Sequence, residues 1–348
     1  MLTLAVLMAL SASAADIHTE KIFGPETRTG PYKHPASITE LLNGDLYLVY
    51  YGGKGEYAND TAVYGSRKRR GEGWSDPVVI AQDPFRSAGN GVIWQAPDGA
   101  LWLFYVIRFG DTWSKSRIAA KISHDYGDTW SDPSLIAMEE GMMVRGRPIV
   151  LASGDYLLPV YKETGEDREE VGADSVSTFL SYSPKKREWR RLGSIGSSKG
   201  NIQPAPVEIA PGHLIAYCRR GGGYGPVTNG YIVRAESRDG GVTWTEGKDT
   251  TFPNPNSAVD FIRLKNGHLL LVYNDSMSRR TPLRVAISTD NDKSYPHRRN
   301  LAEGANDFAY PVAMQSSDGR IHVIYTSDRR STIHHAVFEE SAVLEWRP

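Results

Sequence analysis

The chain has 348 residues, with 40 Lys+Arg against 41 Asp+Glu, so no strong net charge draws it to nucleic acid or to an anionic membrane. Cys218 is the single cysteine, which excludes an intrachain disulfide and a cysteine-based metal site. The histidines are scattered without metal-binding spacing, so we predict neither a metal nor a cofactor.

Residues 1–15 are apolar and end in small residues. This pattern predicts a cleaved signal peptide, and hence a secreted or periplasmic protein. No later apolar run is long enough to span a membrane.

A turn motif, in which glycine precedes an alternating apolar stretch, occurs six times along the chain. The spacing between successive turn glycines is 52 to 58 residues, and they are Gly44, Gly99, Gly154, Gly212, Gly267 and Gly319. Asn-Gly and Asp-Gly turns between apolar alternations are strong hairpin signals. We therefore predict that each repeat forms four strands. In the first repeat these strands cover about 35–42, 45–51, 61–68 and 77–81.

A second motif, S-x-D-x-G-x-T-W, keeps the same period. Full copies begin at Ser123 and Ser237, and degenerate copies end at Trp74, Trp189 and Tyr295. The Ser and Asp oxygens can satisfy turn amides while the aromatic residue packs between sheets. We call this motif the Asp box and predict a purely structural role for it.

Sheets of one period arranged radially make a β-propeller. The sequence therefore predicts an all-β, six-bladed propeller of four-stranded antiparallel blades over residues 16–348, rather than an array of β-sandwiches. Residues 17–23 supply the missing outer strand of the sixth blade and close the ring. The polar segment 163–176 is interpreted as a solvated loop on one rim.

The inner strands of a propeller begin at the same rim as the loops between strands two and three. By this register, four arginines surround the channel mouth: Arg145, Arg219, Arg280 and Arg329. Guanidinium groups match carboxylates in bidentate fashion, which predicts an acidic sugar as ligand. The alternative is that each arginine pairs with a neighbouring carboxylate. Further predicted substrate contacts are Lys33, Gln203 and Asp260.

Four residues on this rim are candidate catalytic groups. Tyr310 is a candidate nucleophile, because a neutral phenol is not repelled by an anionic sugar. Asp60 or Glu56 is the candidate acid–base, and His34 can exchange a proton near neutrality. Each has a structural alternative: packing for Tyr310, a plain surface charge for the carboxylates, and a hydrogen-bonded structural position for His34.

In its sequence motifs, the chain resembles the bacterial predicted neuraminidases of the sialidase (BNR/Asp-box) superfamily. The stretches that carry the resemblance include His34-Pro-Ala-Ser-Ile, Tyr51-Gly-Gly-Lys-Gly-Glu56, Met143-Val-Arg145, Leu158-Pro-Val-Tyr161-Lys-Glu163, Asn201-Ile-Gln203-Pro and Tyr310-Pro. The resemblance implies a propeller glycosidase. Two positions depart from sialidases: Lys33-His34 stands where those enzymes have an arginine, and Gln203 stands where they have the glutamate that activates the tyrosine.

Three functions stay open on these residues. The first is an exo-acting hydrolase that removes terminal acidic sugars, sialic or uronic, and the second is a lyase on uronate polysaccharides. The third is a carbohydrate-binding propeller without catalysis. In each case the expected partner is an acidic glycan, and we predict a monomer.

Overall fold

The computed structural model describes residues 16–166, 170–223 and 225–347. The predicted signal peptide lies outside these ranges. Strand β1 (His18–Phe23) precedes the first blade, which consists of β2 (Tyr32–Glu40), β3 (Leu46–Gly53), β4 (Ala62–Lys68) and β5 (Val78–Ala81). The second blade consists of β6 (Ala88–Gln95), β7 (Leu101–Arg108), β8 (Ser116–Ser123) and β9 (Ser134–Ala137).

The later blades repeat this plan. The third has a broken inner strand, β10 (Met142–Val144) and β11 (Ile149–Val150), followed by β12 (Tyr156–Lys162), β13 (Val176–Ser183) and β14 (Glu188–Ile195). The fourth is β15 (Asn201–Ala210), β16 (His213–Arg220), β17 (Tyr231–Ser237) and β18 (Lys248–Pro253). The fifth is β19 (Asp260–Arg263), β20 (Leu269–Asn274), β21 (Leu283–Ser288) and β22 (His297–Ala302).

The sixth blade closes the ring. It contains β23 (Ala309–Gln315), β24 (Ile321–Ser327) and β25 (Thr332–Phe338), and β1 adds the outer strand by pairing antiparallel with β25. A short helix α1 (Ser341–Leu344) follows. The predicted six-bladed, all-β propeller and its closure by the N-terminal strand are confirmed.

The repeat of the sequence determines where the strands begin and end, because each turn glycine permits a tight hairpin. Gly44 has φ +84 and Gly319 has φ +91, a region that other residues adopt only with strain. The second strand of each blade is buried along most of its length on both faces, as in the LLLVYN sequence of β20. Burial between successive sheets thus supplies the core.

The Asp boxes are self-contained turns between the third and fourth strands of a blade. The Oδ1 of Asp239 accepts from Ser237 Oγ at 2.9 Å and from the Thr243 amide at 2.8 Å. Trp244 then stacks on Phe179 of the preceding blade, with ring centroids 4.5 Å apart. The predicted structural role of the motif fits this arrangement, because its polar atoms are used within the turn.

The polar segment between β12 and β13 forms a loop, as predicted, but parts of it are packed. Val171 and Ser175 are buried, and Val171 forms a β-bridge with Gly222 of the fourth blade. The loop therefore contributes a wall to the mouth of the channel as well as a solvated surface.

In the described ranges, no helix has the length and apolar character required to cross a membrane.

Candidate active site

Four residues near the channel ends of inner strands have left-handed backbone: Asn90, Gln203, Asn256 and Tyr310, with φ values of 48°, 55°, 59° and 55°. Asn90, Gln203 and Tyr310 lie at bulges of β6, β15 and β23, and Asn256 precedes β19. Left-handed backbone is rare for residues other than glycine, above all for a bulky one such as tyrosine, and it concentrates at functional sites. In the third blade the inner strand is interrupted after β10, at Arg145.

Arg219, at the end of β16, binds three of these four residues. Its Nε donates to Asn256 Oδ1 at 2.6 Å, and its Nη1 donates to Tyr310 Oη at 2.7 Å and to Gln203 Oε1 at 3.4 Å. Gln203 Nε2 in turn donates to Tyr161 Oη at 3.4 Å. The planar guanidinium therefore fixes the phenol of Tyr310 in one orientation.

Tyr310 lies among cationic groups. The guanidinium carbons of Arg145, Arg219 and Arg280 are 5.4, 5.9 and 5.5 Å from its ring centroid, within the range of cation–π attraction. Arg145 also donates to the backbone carbonyl of Tyr310 at 2.8 Å. The structure thus brings together three of the four predicted arginines around the predicted nucleophile.

This environment changes the acidity of the phenol. Burial raises the pKa of Tyr310, but the positive charges of Arg219 and Arg280, with Arg330 beyond them, lower it, and the net direction is below the ordinary tyrosine value. A nearby cation favours the charged form of an acid. The phenolate form of Tyr310 is therefore more accessible than that of an ordinary tyrosine.

His34 packs against the same ring. Its imidazole lies edge-on to Tyr310 with centroids 4.1 Å apart, and its Nδ1 contacts Thr326 Oγ1 at 2.7 Å. Within the described ranges its buried Nε2 has no hydrogen-bond partner. Burial, reinforced by the positive charge of Arg330, holds the pKa of His34 well below its ordinary value, so the ring is neutral.

Glu56 pairs with Arg330 across the mouth of the channel and accepts from Trp113 Nε1 at 3.4 Å. This ion pair lies between two spaces. A narrow cavity of about 30 Å³ is lined by Tyr310 with His34, Glu56, Glu163, Gln203 and Arg219. An open pocket of about 420 Å³ is lined by Arg279, Arg280, Arg329 and Arg330 together with Asp307.

A larger groove, of about 790 Å³, lies between the outer strands of the fourth and fifth blades. At its floor Asp292 accepts from Tyr217 at 2.7 Å, from Tyr295 at 2.6 Å and from Arg234 at 2.7 Å. Its carboxylate is therefore fully used within the protein. Tyr217 and Tyr295, whose pKa values are raised in this groove, are already bonded to Asp292. At the channel mouth, Tyr310, His34 and Glu163 have shifted pKa values and line one cavity, which we take as the candidate site.

Other predicted site residues lie elsewhere. Asp60 is exposed and accepts from the Lys54 amide at 3.2 Å, and the Lys33 ammonium donates to the Gly30 carbonyl at 2.6 Å. Asp260 is buried and accepts from the amide of Ala313 at 2.6 Å. None of the three lines the two spaces at the mouth, and their roles toward substrate stay predictions.

Arg329 lines the open pocket but is itself exposed. Its neighbour Arg330, which was not selected from the sequence, reaches Glu56. Blade register cannot distinguish adjacent residues of a turn, which explains why the sequence indicated Arg329 whereas Arg330 makes the contact with Glu56.

From the sequence, Glu163 is only the first residue of the polar segment 163–176. The structure places it in the cavity with Tyr310, and burial raises its pKa to about 7.

The chain belongs to the family described as BNR repeat-like domain, whose sequence model matches residues 44–323. This confirms the superfamily resemblance. A search among curated proteins finds no match.

Solved structures with the same fold include several sialidases. A Hadza microbial sialidase superposes with a TM-score of 0.78 at 16% identity, covering 93% of this chain and 69% of its own. The intramolecular trans-sialidase of Ruminococcus gnavus gives 0.73 at 14% identity, covering 94% and 98%. The NanB sialidase of Streptococcus pneumoniae gives 0.74 at 12% identity, covering 92% and 70%. At these identities the likeness establishes the fold alone.

Proposed function

We propose that this protein is a glycoside hydrolase that removes a terminal acidic sugar, with Tyr310 as nucleophile. One observation carries the proposal: the Tyr310 hydroxyl accepts a hydrogen bond from Arg219 at 2.7 Å in a setting that lowers the pKa of the phenol. Activation of a weak nucleophile by a lowered pKa is a general route to covalent catalysis. The sialidase names of the structural neighbours are consistent with this chemistry.

The acidic group of the sugar binds at the arginines. Arg280 and Arg330 both border the open pocket, whose volume of about 420 Å³ is within the usual range for small-molecule sites. A substrate carboxylate can bind Arg280 and Arg330 from the open pocket while Glu56 stays paired with Arg330. This ion pair lies between the open pocket and the narrow cavity. The sugar ring then lies over Tyr310.

Gln203 does not prevent this mechanism. In sialidases a glutamate at the corresponding place is expected to activate the tyrosine, and an amide cannot accept the phenolic proton. In this protein the neighbouring guanidiniums stabilise the phenolate instead. Sialic and uronic acids both carry the carboxylate that the site requires.

A uronate lyase is the second candidate, and it is favoured by the environment of His34. A neutral, buried imidazole with an unpartnered Nε2 in the described structure is suited to remove the proton next to a carboxylate that arginines have neutralised. Lyase cleavage creates a conjugated double bond that absorbs in the ultraviolet, and hydrolysis does not.

The test is a screen of the purified protein against sialosides, glucuronides and uronate polymers, read by reducing ends and by ultraviolet absorbance together. Reducing ends without new absorbance support the hydrolase, whereas both signals together support the lyase. Binding without turnover would leave only the carbohydrate-binding interpretation.

Tyr310→Phe should then lower kcat/KM by about 1,000-fold or more, because it removes the nucleophile. Tyr126→Phe is the matched control, since Tyr126 also has left-handed backbone, φ 61°, but lies in an Asp box. Full turnover in Tyr310→Phe would overturn the proposal.

A further inference from the structure

Glu163 follows β12 directly, on the loop that joins the second and third strands of the third blade. Its backbone is fixed on both sides: its amide donates to the Gly141 carbonyl at 2.9 Å, and the next amide, of Thr164, donates to Ser175 Oγ at 3.1 Å. A side chain at Gly141, whose φ is +83, would meet the Glu163 carbonyl at 2.4 Å. The chain therefore holds Glu163 firmly beside the channel.

The Glu163 side chain lines the narrow cavity together with the nucleophile proposed above. Its carboxyl group makes no hydrogen bond or salt bridge within the described part of the chain, in contrast to Glu56 and Asp260. The ionisable groups that line the same cavity come from several blades and are His34, Tyr51, Glu56, Tyr57, Tyr161, Glu170, Arg219 and Tyr310. A half-buried, unpaired carboxyl group in the same cavity as this phenol has no evident structural purpose.

The geometry points to Glu163 as the acid–base of the reaction, the group that protonates the departing sugar oxygen and later deprotonates water. This inference rests on the proposed function and names a residue of the third blade in place of the loop carboxylates predicted from the sequence. In this proposal Glu163 protonates the leaving group, whereas Tyr310 forms the bond to the anomeric carbon.

The other carboxylates are less suited to this role. Glu56 is paired with Arg330 and accepts a hydrogen bond from Trp113 Nε1, so its oxygens are already engaged. Asp60 is exposed and lies outside the cavity lining. Burial, opposed by Arg219 and assisted by the negative charge of Glu56, raises the pKa of Glu163 to about 7, so that Glu163 can both give and take a proton near neutrality.

The proposed reaction has two steps. The Tyr310 phenolate oxygen bonds to the anomeric carbon, the bond to the leaving oxygen breaks, and that oxygen takes the proton of Glu163. In the second step, water bonds to the anomeric carbon while its proton passes to the Glu163 carboxylate. The bond to Tyr310 breaks and returns the phenolate.

The test compares two substrates that carry the same acidic sugar. One has a 4-nitrophenyl leaving group, which departs without protonation, and the other has a sugar leaving group, which requires it. Glu163→Gln should lower kcat/KM on the sugar-linked substrate by about 100-fold or more, with a much smaller loss on the aryl substrate. The limb of the kcat/KM pH profile near pH 7 should disappear. In Glu163→Ala, added azide should accelerate turnover of the aryl substrate.

Glu166→Gln is the matched control, because Glu166 lies on the same loop but is exposed, and thermal unfolding of each variant reports on folding. Equal losses on both substrates, or unchanged turnover on the sugar-linked substrate, would overturn the role of Glu163. Full activity of Tyr310→Phe overturns the nucleophile instead, so the two failures are distinguishable. A wild-type protein that cleaves neither substrate overturns both.

Discussion

Two sets of carboxyl groups occupy opposite ends of the blades. The Asp boxes lie between third and fourth strands, and Asp125, Asp239 and Asp290 each accept hydrogen bonds from their own turn. Glu163 lies between second and third strands, faces the channel and accepts none in the described structure. Since adjacent strands are antiparallel, these connections are at opposite rims.

The two environments shift the pKa values of their carboxyl groups in opposite directions. Hydrogen bonds from Thr129 lower the pKa of Asp125 to about 2, and those from Ser294 lower the pKa of Asp290 to about 2. Burial instead raises the pKa of Glu163 to about 7. The comparison separates carboxylates bonded within the fold from the one that we propose for proton transfer.

Among substitutions at the two rims, the largest loss of kcat/KM is expected at the channel mouth. Arg219→Lys keeps a positive charge but cannot reproduce the planar donor set that reaches both Asn256 and Tyr310. We expect kcat/KM to fall by about 100-fold and the pKa assigned to Tyr310 to move back toward that of ordinary tyrosine, measured by the pH profile of kcat/KM. An unchanged pH profile would contradict a role for Arg219 in activating the phenol.

At the opposite rim the effect should fall on stability alone. Asp239→Asn weakens the bonds from Ser237 and Thr243, and we expect Tm to drop by a few degrees while kcat/KM is unchanged. Asp249→Asn serves as the control, because Asp249 is an exposed residue on an outer strand. A loss of turnover in Asp239→Asn, measured at a temperature where it is folded, would argue against a purely structural Asp box.

The smallest effect is a difference in the pH dependence of stability. The folded pKa of Glu163, about 7, is above its ordinary value of 4.5, so the folded state binds more protons between these values and loses stability as pH rises through the window. The lowered pKa values of Asp125 and Asp290 give stability that is present above the ordinary value of 3.8 and is lost as pH falls toward about 2.

Tm measured against pH should therefore separate the two carboxyl sets. The decline between pH 4.5 and about 7 should shrink in Glu163→Gln, whereas the decline at acid pH should be the same as in the wild-type protein. Identical curves for the two proteins would show that the environment of Glu163 is not as described.

The fold could be predicted because its determinants are local. Turn glycines such as Gly44 and Gly319, with one period, fix hairpins whatever surrounds them, and the apolar alternation fixes which strands are buried. The N-terminal strand was also predictable, since the sixth repeat lacked its outer strand. These signals depend on short-range backbone geometry.

The site was less predictable because its geometry depends on contacts between blades. Register identified Tyr310, Arg145, Arg219 and Arg280 as rim residues, but the bulge at Gln203 and Tyr310, with left-handed backbone at both, has no local sequence signal. The partial burial of Glu163 depends on a loop that pairs with the fourth blade through Val171. Neither follows from a periodic pattern.

The pairing of β1 with β25 has a consequence for how the whole molecule is held together. The two strands are separated by more than 300 residues, and their ladder runs from His18–Val337 to Phe23–Ile333. This seam is non-covalent, and a slip of one residue would turn the buried Phe23 outward. Removing β1 would leave β25 as an open edge, so that a second copy could add its own strand there and convert a closed ring into a chain of linked molecules.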